Sequence, residues 1–213
     1  MRDMSKVFQG LYRADKNFYE SKASMVKLWS HEVMRVFYDR LNDHQDRSEF
    51  SAHLAEQVQI HFELSYDDDI KDARKEDPIF VDFLNENMEV YEEVQDYDAL
   101  CTYLNVKLND YNNEPRAIRM DLVLFKDAIT NCCNIYRLLK LERGNVLLVG
   151  VGGSGRHSLT KLAAYMAEMK TLRVEVTRSF DIKNFREFLK SLYTTTGTNN
   201  KTGVFLFSDN DVI

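Results

Sequence analysis

"GNVLLVGVGGSGRHSLTKLAAYMAEM", residues 144–169, decides how the rest of the chain is read. Asn145 to Val149 is an apolar run of strand length, and Gly150 to Gly155 is a loop rich in glycine. Leu159, Leu162, Ala163 and Met166 then keep the spacing of one helix face. A strand, a glycine loop and a helix in this order bring free first-turn N–H groups and the positive end of a helix dipole to one spot. That is a place for phosphate.

Gly150 and Gly155 fit the phosphate-loop pattern G-x-x-x-x-G-K-[ST], which calls for Lys at 156 and Ser or Thr at 157. The residues there are Arg156 and His157. Arg156 keeps the positive charge, but its planar fork is larger than an ammonium and cannot reproduce its point contact between the outer phosphates. His157 lacks the hydroxyl that holds Mg²⁺ in such loops. Ser158 has one, but about 100° further round the helix. The predicted nucleotide-binding set is Gly150, Val151, Gly152, Gly153, Ser154, Gly155, Arg156, His157 and Ser158, with ATP or ADP as the ligand.

A second apolar run, Val204 to Phe207, is followed by Ser208 and Asp209. In phosphate-loop NTPases such a strand ends in an Asp that organises Mg²⁺, often followed by a Glu that positions water. In strict register Ser208 takes the metal position and Asp209 the water-activating one. Both metal-organising groups are altered together, so the sequence predicts nucleotide binding with slow or absent Mg²⁺-dependent cleavage. Ser158 and Asp209 are the candidate Mg²⁺ contacts, and Asp209 is also the candidate catalytic residue.

Two other readings stay open. The loop also spells Gly150-x-Gly152-x-x-Gly155, the dinucleotide fingerprint, with Glu175 placed 20 positions after Gly155 for a ribose contact and NAD as ligand. Against it stand the long preceding segment, which a minimal dinucleotide fold does not need, and the strand at 204–207. A purely structural glycine turn is the third reading.

Composition bounds the remainder. The 213 residues are 44% hydrophobic and 29% charged, with a net charge of −6. This suffices for a core and argues against a general nucleic-acid binder, which needs a surplus of Lys and Arg. The first ten residues lack the apolar stretch of a secretory signal, and the longest apolar run is too short for a bilayer, so no membrane partner is expected and an intracellular location is. Cys101, Cys132 and Cys133 have no zinc or redox spacing and read as free thiols.

Seven of the eight glycines lie at or after residue 144, and only Gly10 precedes it. The expectation is helices before 144 and an α/β unit after it. Met25, Trp29, Val33, Val36, Phe37 and Leu41 predict a helix over 22–42, and Phe50, Leu54, Val58 and Phe62 another over 47–64. Residues 66–78, with Asp67 to Asp69, read as an exposed charged connection ending at Pro78. IFVDFL reads as a short strand or buried turn, followed by a helix over 89–111. Asp121 is the expected cap of a helix over 122–140. The predicted divisions are 1–65, 66–143 and 144–213: a helical lid, a linker with helices, and a truncated phosphate-loop α/β half-domain.

The loop GVGGSGRHSLTKLAA resembles the fourth AAA+ module of axonemal dynein heavy chains, whose form is GVGGSGRQSLTRLAA; His157 is the main departure. FLFSDNDVI at 205–213 is similar to that module's degenerate second strand. Upstream, MRDMSKVFQGLYRA and MVKLWSHEVMRVFYDRLNDHQDR resemble the lid of the third module. LNDYNN and MDLVLFKDAITNCCNIYRLLKLERGN resemble the connection between the two. The resemblance implies a fragment cut across two modules of a ring motor, with Arg2 in the place of the lid arginine that senses the third module's nucleotide. It also implies a regulatory rather than main ATPase site in the cytoskeleton of a cilium or flagellum. The implied partners are neighbouring AAA+ modules and, through the intact protein only, dynein intermediate and light chains and microtubules. The later sensor residues, stalk and microtubule-binding tip are expected to lie outside this stretch.

Overall fold

Where glycine is scarce, helices dominate. The computed structural model describes residues 2–72, 74–85, 88–115, 117–174, 176 and 180–208. The chain divides into two units, 1–103 and 104–213.

The first unit opens with α1 (Arg2–Leu11) and α2 (Lys22–Val33), which runs on into a π-helical turn, Met34–Tyr38. α3 follows as His44–Phe62. Ser21 and Asp43 cap α2 and α3 by accepting the N–H groups of Ser24 and Gln45, which satisfies donors left over in the first turn. Val26, Met34, Leu54, Val58, Tyr66 and Ile70 form one core, with Trp29 and Phe62 packed at its side. Each such side chain withdrawn from water contributes about 1.5–3 kcal/mol.

The stretch 66–78 is not wholly the exposed connection expected. Tyr66–Ile70 makes a π-helical turn whose two end residues are buried, while the carboxylates of Asp67, Asp68 and Asp69 face outward. Residues four apart share a helix face, so a charged run can still anchor itself by its apolar ends. β1 (Phe80–Val81) and β2 (Glu92–Glu93) then pair antiparallel, Phe80 opposite Glu93. The helix expected over 89–111 therefore begins later, as α4 (Tyr97–Asn113), where the Asp96 carboxylate accepts the N–H groups of Asp98 and Ala99. Val90 and Val94 are buried from non-helical backbone flanking β2 rather than from a helix.

Gly10 lies inside α1 and is buried. It is small because Glu32 of α2 needs the room: a Cβ at residue 10 would stand 1.9 Å from the Glu32 carboxyl oxygen. Glu32 accepts the Tyr91 hydroxyl at 2.9 Å. Arg13 stacks on the Tyr91 ring at 3.9 Å and pairs with Asp82 at 2.6 Å. Helices and hairpin are thus joined through buried polar groups as well as through Leu28, Phe80 and Tyr91.

In the second unit α5 (Lys126–Lys140) packs on α6 (Arg156–Met166). Ile129, Cys132, Ile135 and Tyr136 are buried in α5, and Leu159, Leu162, Ala163 and Ala164 in α6. The helix expected from 122 starts at Lys126, after Phe125, and Asp121 does not cap it. The Asn112 amide explains this: it donates to the Met120 carbonyl at 3.0 Å and accepts the Met120 N–H at 2.8 Å, tying the non-helical approach to the end of α4.

Among the described residues this unit also holds two parallel strands, β3 (Lys170–Arg173) and β4 (Gly203–Leu206), in register Lys170 to Gly203 through Arg173 to Leu206. The helix α7 (Ile182–Tyr193), capped by Asp181 in a reciprocal box with Asn184, lies between them in sequence. The strand expected at Asn145–Val149 does not form a ladder. β4 pairs with β3 instead, and Leu147 and Val149 remain 88% and 87% exposed. An apolar run becomes a strand only where a neighbouring strand takes up its N–H and C=O groups; among the described residues none does.

Candidate nucleotide site

The glycine loop enters α6 through two left-handed residues, Gly153 at φ 78° and Gly155 at φ 77°. Side chains rarely adopt that backbone, so glycine is required there. Gly155 stands at the N-cap of α6, and no side chain caps the first turn. Its N–H groups therefore stay available to an anion. A Cβ placed on Gly152 or Gly153 would meet nothing within 4 Å, so a ligand can approach the backbone there. Leu122 lies on the other side of the loop, 3.6 Å from where a Gly155 Cβ would be.

Arg156 curls back over the loop and donates to the Val151 carbonyl at 3.2 Å. Ser154 N–H reaches the same carbonyl at 3.4 Å. Thr160 Oγ1 donates to the Arg156 carbonyl at 2.8 Å and stiffens the first turn behind it. A groove of about 750 Å³ runs beside the loop, lined among others by Val149, Gly150, Arg156, His157, Thr160 and Ser208. Ser158 is not among the lining residues. A concavity of about 730 Å³ at the opposite end of α6 is lined by Lys107, Lys170 and Lys201 and includes none of the loop.

The chemistry of these side chains suits phosphate better than a divalent metal. Mg²⁺ takes a near-octahedral set of oxygens, usually with one or two carboxylates. The two positions that would organise it carry His157 and Ser208, so the described residues do not fit the ion. The other candidates are scattered: Arg2 is exposed at the first turn of α1 in the first unit, while Asp209 and Glu175 lie outside the described residues. Arg173, which periodicity and motif spacing do not pick out, ends β3 and donates to Ser208 Oγ at 3.4 Å.

The loop, the α6 N-terminus and the parallel strands define a phosphate-loop NTPase half-domain, preceded by helices. Comparison with known proteins gives the particular family. Residues 120–213 match the family described as the P-loop containing dynein motor region D4, and residues 1–47 match the dynein heavy chain ATPase lid domain. The chain is 44% identical over 214 residues to the dynein-1-beta heavy chain of the flagellar inner arm I1 complex of Chlamydomonas reinhardtii, and 42% identical over 212 residues to dynein axonemal heavy chain 2 of Mus musculus. Dynein axonemal heavy chain 10 of Homo sapiens is 38% identical over 213 residues. These alignments take in 98–100% of this chain but 5% of each relative. The chain belongs to the dynein heavy-chain family. Among the described residues no helix is long and apolar enough to cross a membrane.

Proposed function

We propose that this stretch holds ATP or ADP at a regulatory module of an axonemal microtubule motor and cleaves it slowly or not at all. Residues 1–65 are assigned to the lid of the preceding module, 66–143 to the connection and 144–213 to the first part of the nucleotide-binding half-domain. Gly150 to Gly155 and Ser158 would face the phosphates with backbone N–H groups, and Arg156 would offset their charge. Arg2 is assigned to sensing nucleotide in the preceding module, and Asp209 to a water-mediated contact at most. The partners are the neighbouring AAA+ modules and, through the whole heavy chain, intermediate and light chains and microtubules, in a cilium or flagellum.

The supporting observation is the pair of left-handed glycines leading into an uncapped helix with Arg156 beside it. A second reading, a rigid spacer that binds nothing, draws on the brace between Arg156 and the Val151 carbonyl. Equilibrium binding of fluorescent ATP, ADP and NAD to the chain and to Arg156→Ala separates the readings. Adenine-nucleotide binding lost in the variant is expected; no binding by the folded chain leaves the spacer, and preference for NAD would restore the dinucleotide reading.

A further inference from the structure

None of the residues of α7 is buried, although half of them are apolar. Each residue turns a helix by about 100°, so Phe185, Leu189, Ile182 and Tyr193 fall side by side in one apolar stripe. Arg186, Lys190 and Lys183 fall in the row beside it. The helix rests on β4 through Phe188, whose ring stands 5.3 Å from that of Phe205, while Ile182 and Tyr193 are left 66% and 65% exposed. The apolar surface continues along the strand, where Phe205 meets Phe207 at 5.9 Å and both are exposed. Leu206 between them points the other way and is buried. Parallel sheets are covered on both faces, yet here the face under α7 is covered only in part. Open apolar surface of this kind marks a docking site.

Charge says what fits it. Lys183 and Arg186 are exposed along the margin of the stripe, and Lys190 joins them there, paired with Glu187. A second copy of α7 would set this basic row against itself. A helix with apolar residues at i, i+3, i+4 and i+7 and an acidic row along one margin satisfies both the stripe and the charge. The stretch takes in 5% of each aligned relative, so a heavy chain carries many further segments tethered to β4 and α7. A tethered segment meets the stripe at an effective concentration of about millimolar, which favours it over a free protein. We propose that α7 is the docking face for an acidic amphipathic helix of the same heavy chain, from outside these 213 residues.

The test titrates the 213-residue chain with two synthetic helical peptides that share leucines at heptad a and d positions. One carries glutamate along one margin and its twin carries lysine there. The glutamate peptide should bind, more weakly as salt rises, and the lysine twin should not. Lys183→Glu with Arg186→Glu should exchange that preference, by about tenfold in each direction. Ile182→Ser with Tyr193→Ser should cost the glutamate peptide about tenfold; all four positions are exposed, and thermal unfolding checks that each variant is folded. Equal binding of the twins, an unchanged preference in the charge-reversed chain, or no binding by the folded parent overturns the docking face. The source is read separately from thiol labelling of Ile182→Cys, followed by mass spectrometry of the peptides. Labelling should be fast in the 213-residue chain and about tenfold slower or more in the whole heavy chain. Equal rates in the two would overturn the assignment to a segment of the heavy chain.

Discussion

Replacing Gly10 by Ala sets two effects of opposite sign against each other. In an open helix Ala is favoured over Gly by about 1 kcal/mol. In α1 the new Cβ would lie 1.9 Å from Glu32 Oε2, 2.0 Å from its Cδ and 2.7 Å from its Cγ. A flexible carboxylate on the surface would swing aside at little cost. Glu32 is fully buried and accepts the Tyr91 hydroxyl, so moving it breaks a buried hydrogen bond, at about 1–3 kcal/mol. Shifting the backbone instead costs about 1–3 kcal/mol of overpacking. Relief takes one route or the other, and after the propensity gain the net loss is about 0–2 kcal/mol. Urea unfolding followed by tryptophan fluorescence reads the correct unit, because Trp29 is the only tryptophan and packs against Phe62 in the first core. In a Glu32→Ala background the cost should shrink or reverse, since the clashing atoms are gone. If Gly10→Ala alone raises the midpoint, the close approach of Glu32 to α1 is wrong.

Gly144→Ala should also destabilise, by at least about 1–3 kcal/mol in urea unfolding, because its Cβ would fall 1.7 Å from the Leu138 carbonyl oxygen, which is backbone and cannot rotate away. Asp82→Ala should cost about 3 kcal/mol or more by leaving the mostly buried Arg13 guanidinium without its partner; wild-type stability in the same assay would refute that. Cys101 should react first with a thiol reagent, because Cys132 and Cys133 are buried, and mass spectrometry of the peptides checks the order. Burial pushes the Cys132 thiol up from its ordinary 9.0 to about 12. Its contribution to stability is therefore intact below pH 9 and is lost as pH rises through that window, because the unfolded chain releases the proton first. Cys132→Ala should flatten that alkaline loss.

The glycine loop and the helix after it were legible because their pattern is local: glycine at fixed offsets and a face stepping at 3.6. The helix over 47–64 was legible for the same reason and is seen as α3. Elements whose form depends on distant partners were read less well. Asn145–Val149 has the composition of a strand, but a ladder needs a neighbour, and sequence pattern cannot supply one. α5 starts at 126 rather than 122 because the side chain of Asn112, eight residues before Met120, takes up the Met120 N–H and C=O and ties that backbone to the end of α4. Val90 and Val94 keep a helical spacing although both are buried from the non-helical backbone around β2. Gly10 carries no local signal of its role, because its reason lies across the core at Glu32. Arg173 carries no motif; only the parallel register that sets it opposite Leu206 brings its guanidinium to Ser208.

The most direct test of the central claim compares ATP affinity and single-turnover ATP cleavage by the folded chain with and without Mg²⁺. A site that holds nucleotide predicts tight binding in chelator, loss of binding in Arg156→Ala, and bound ATP recovered uncleaved after Mg²⁺ is added. Prompt release of ADP on adding Mg²⁺, abolished by Arg156→Ala, would contradict it and make this loop a working ATPase.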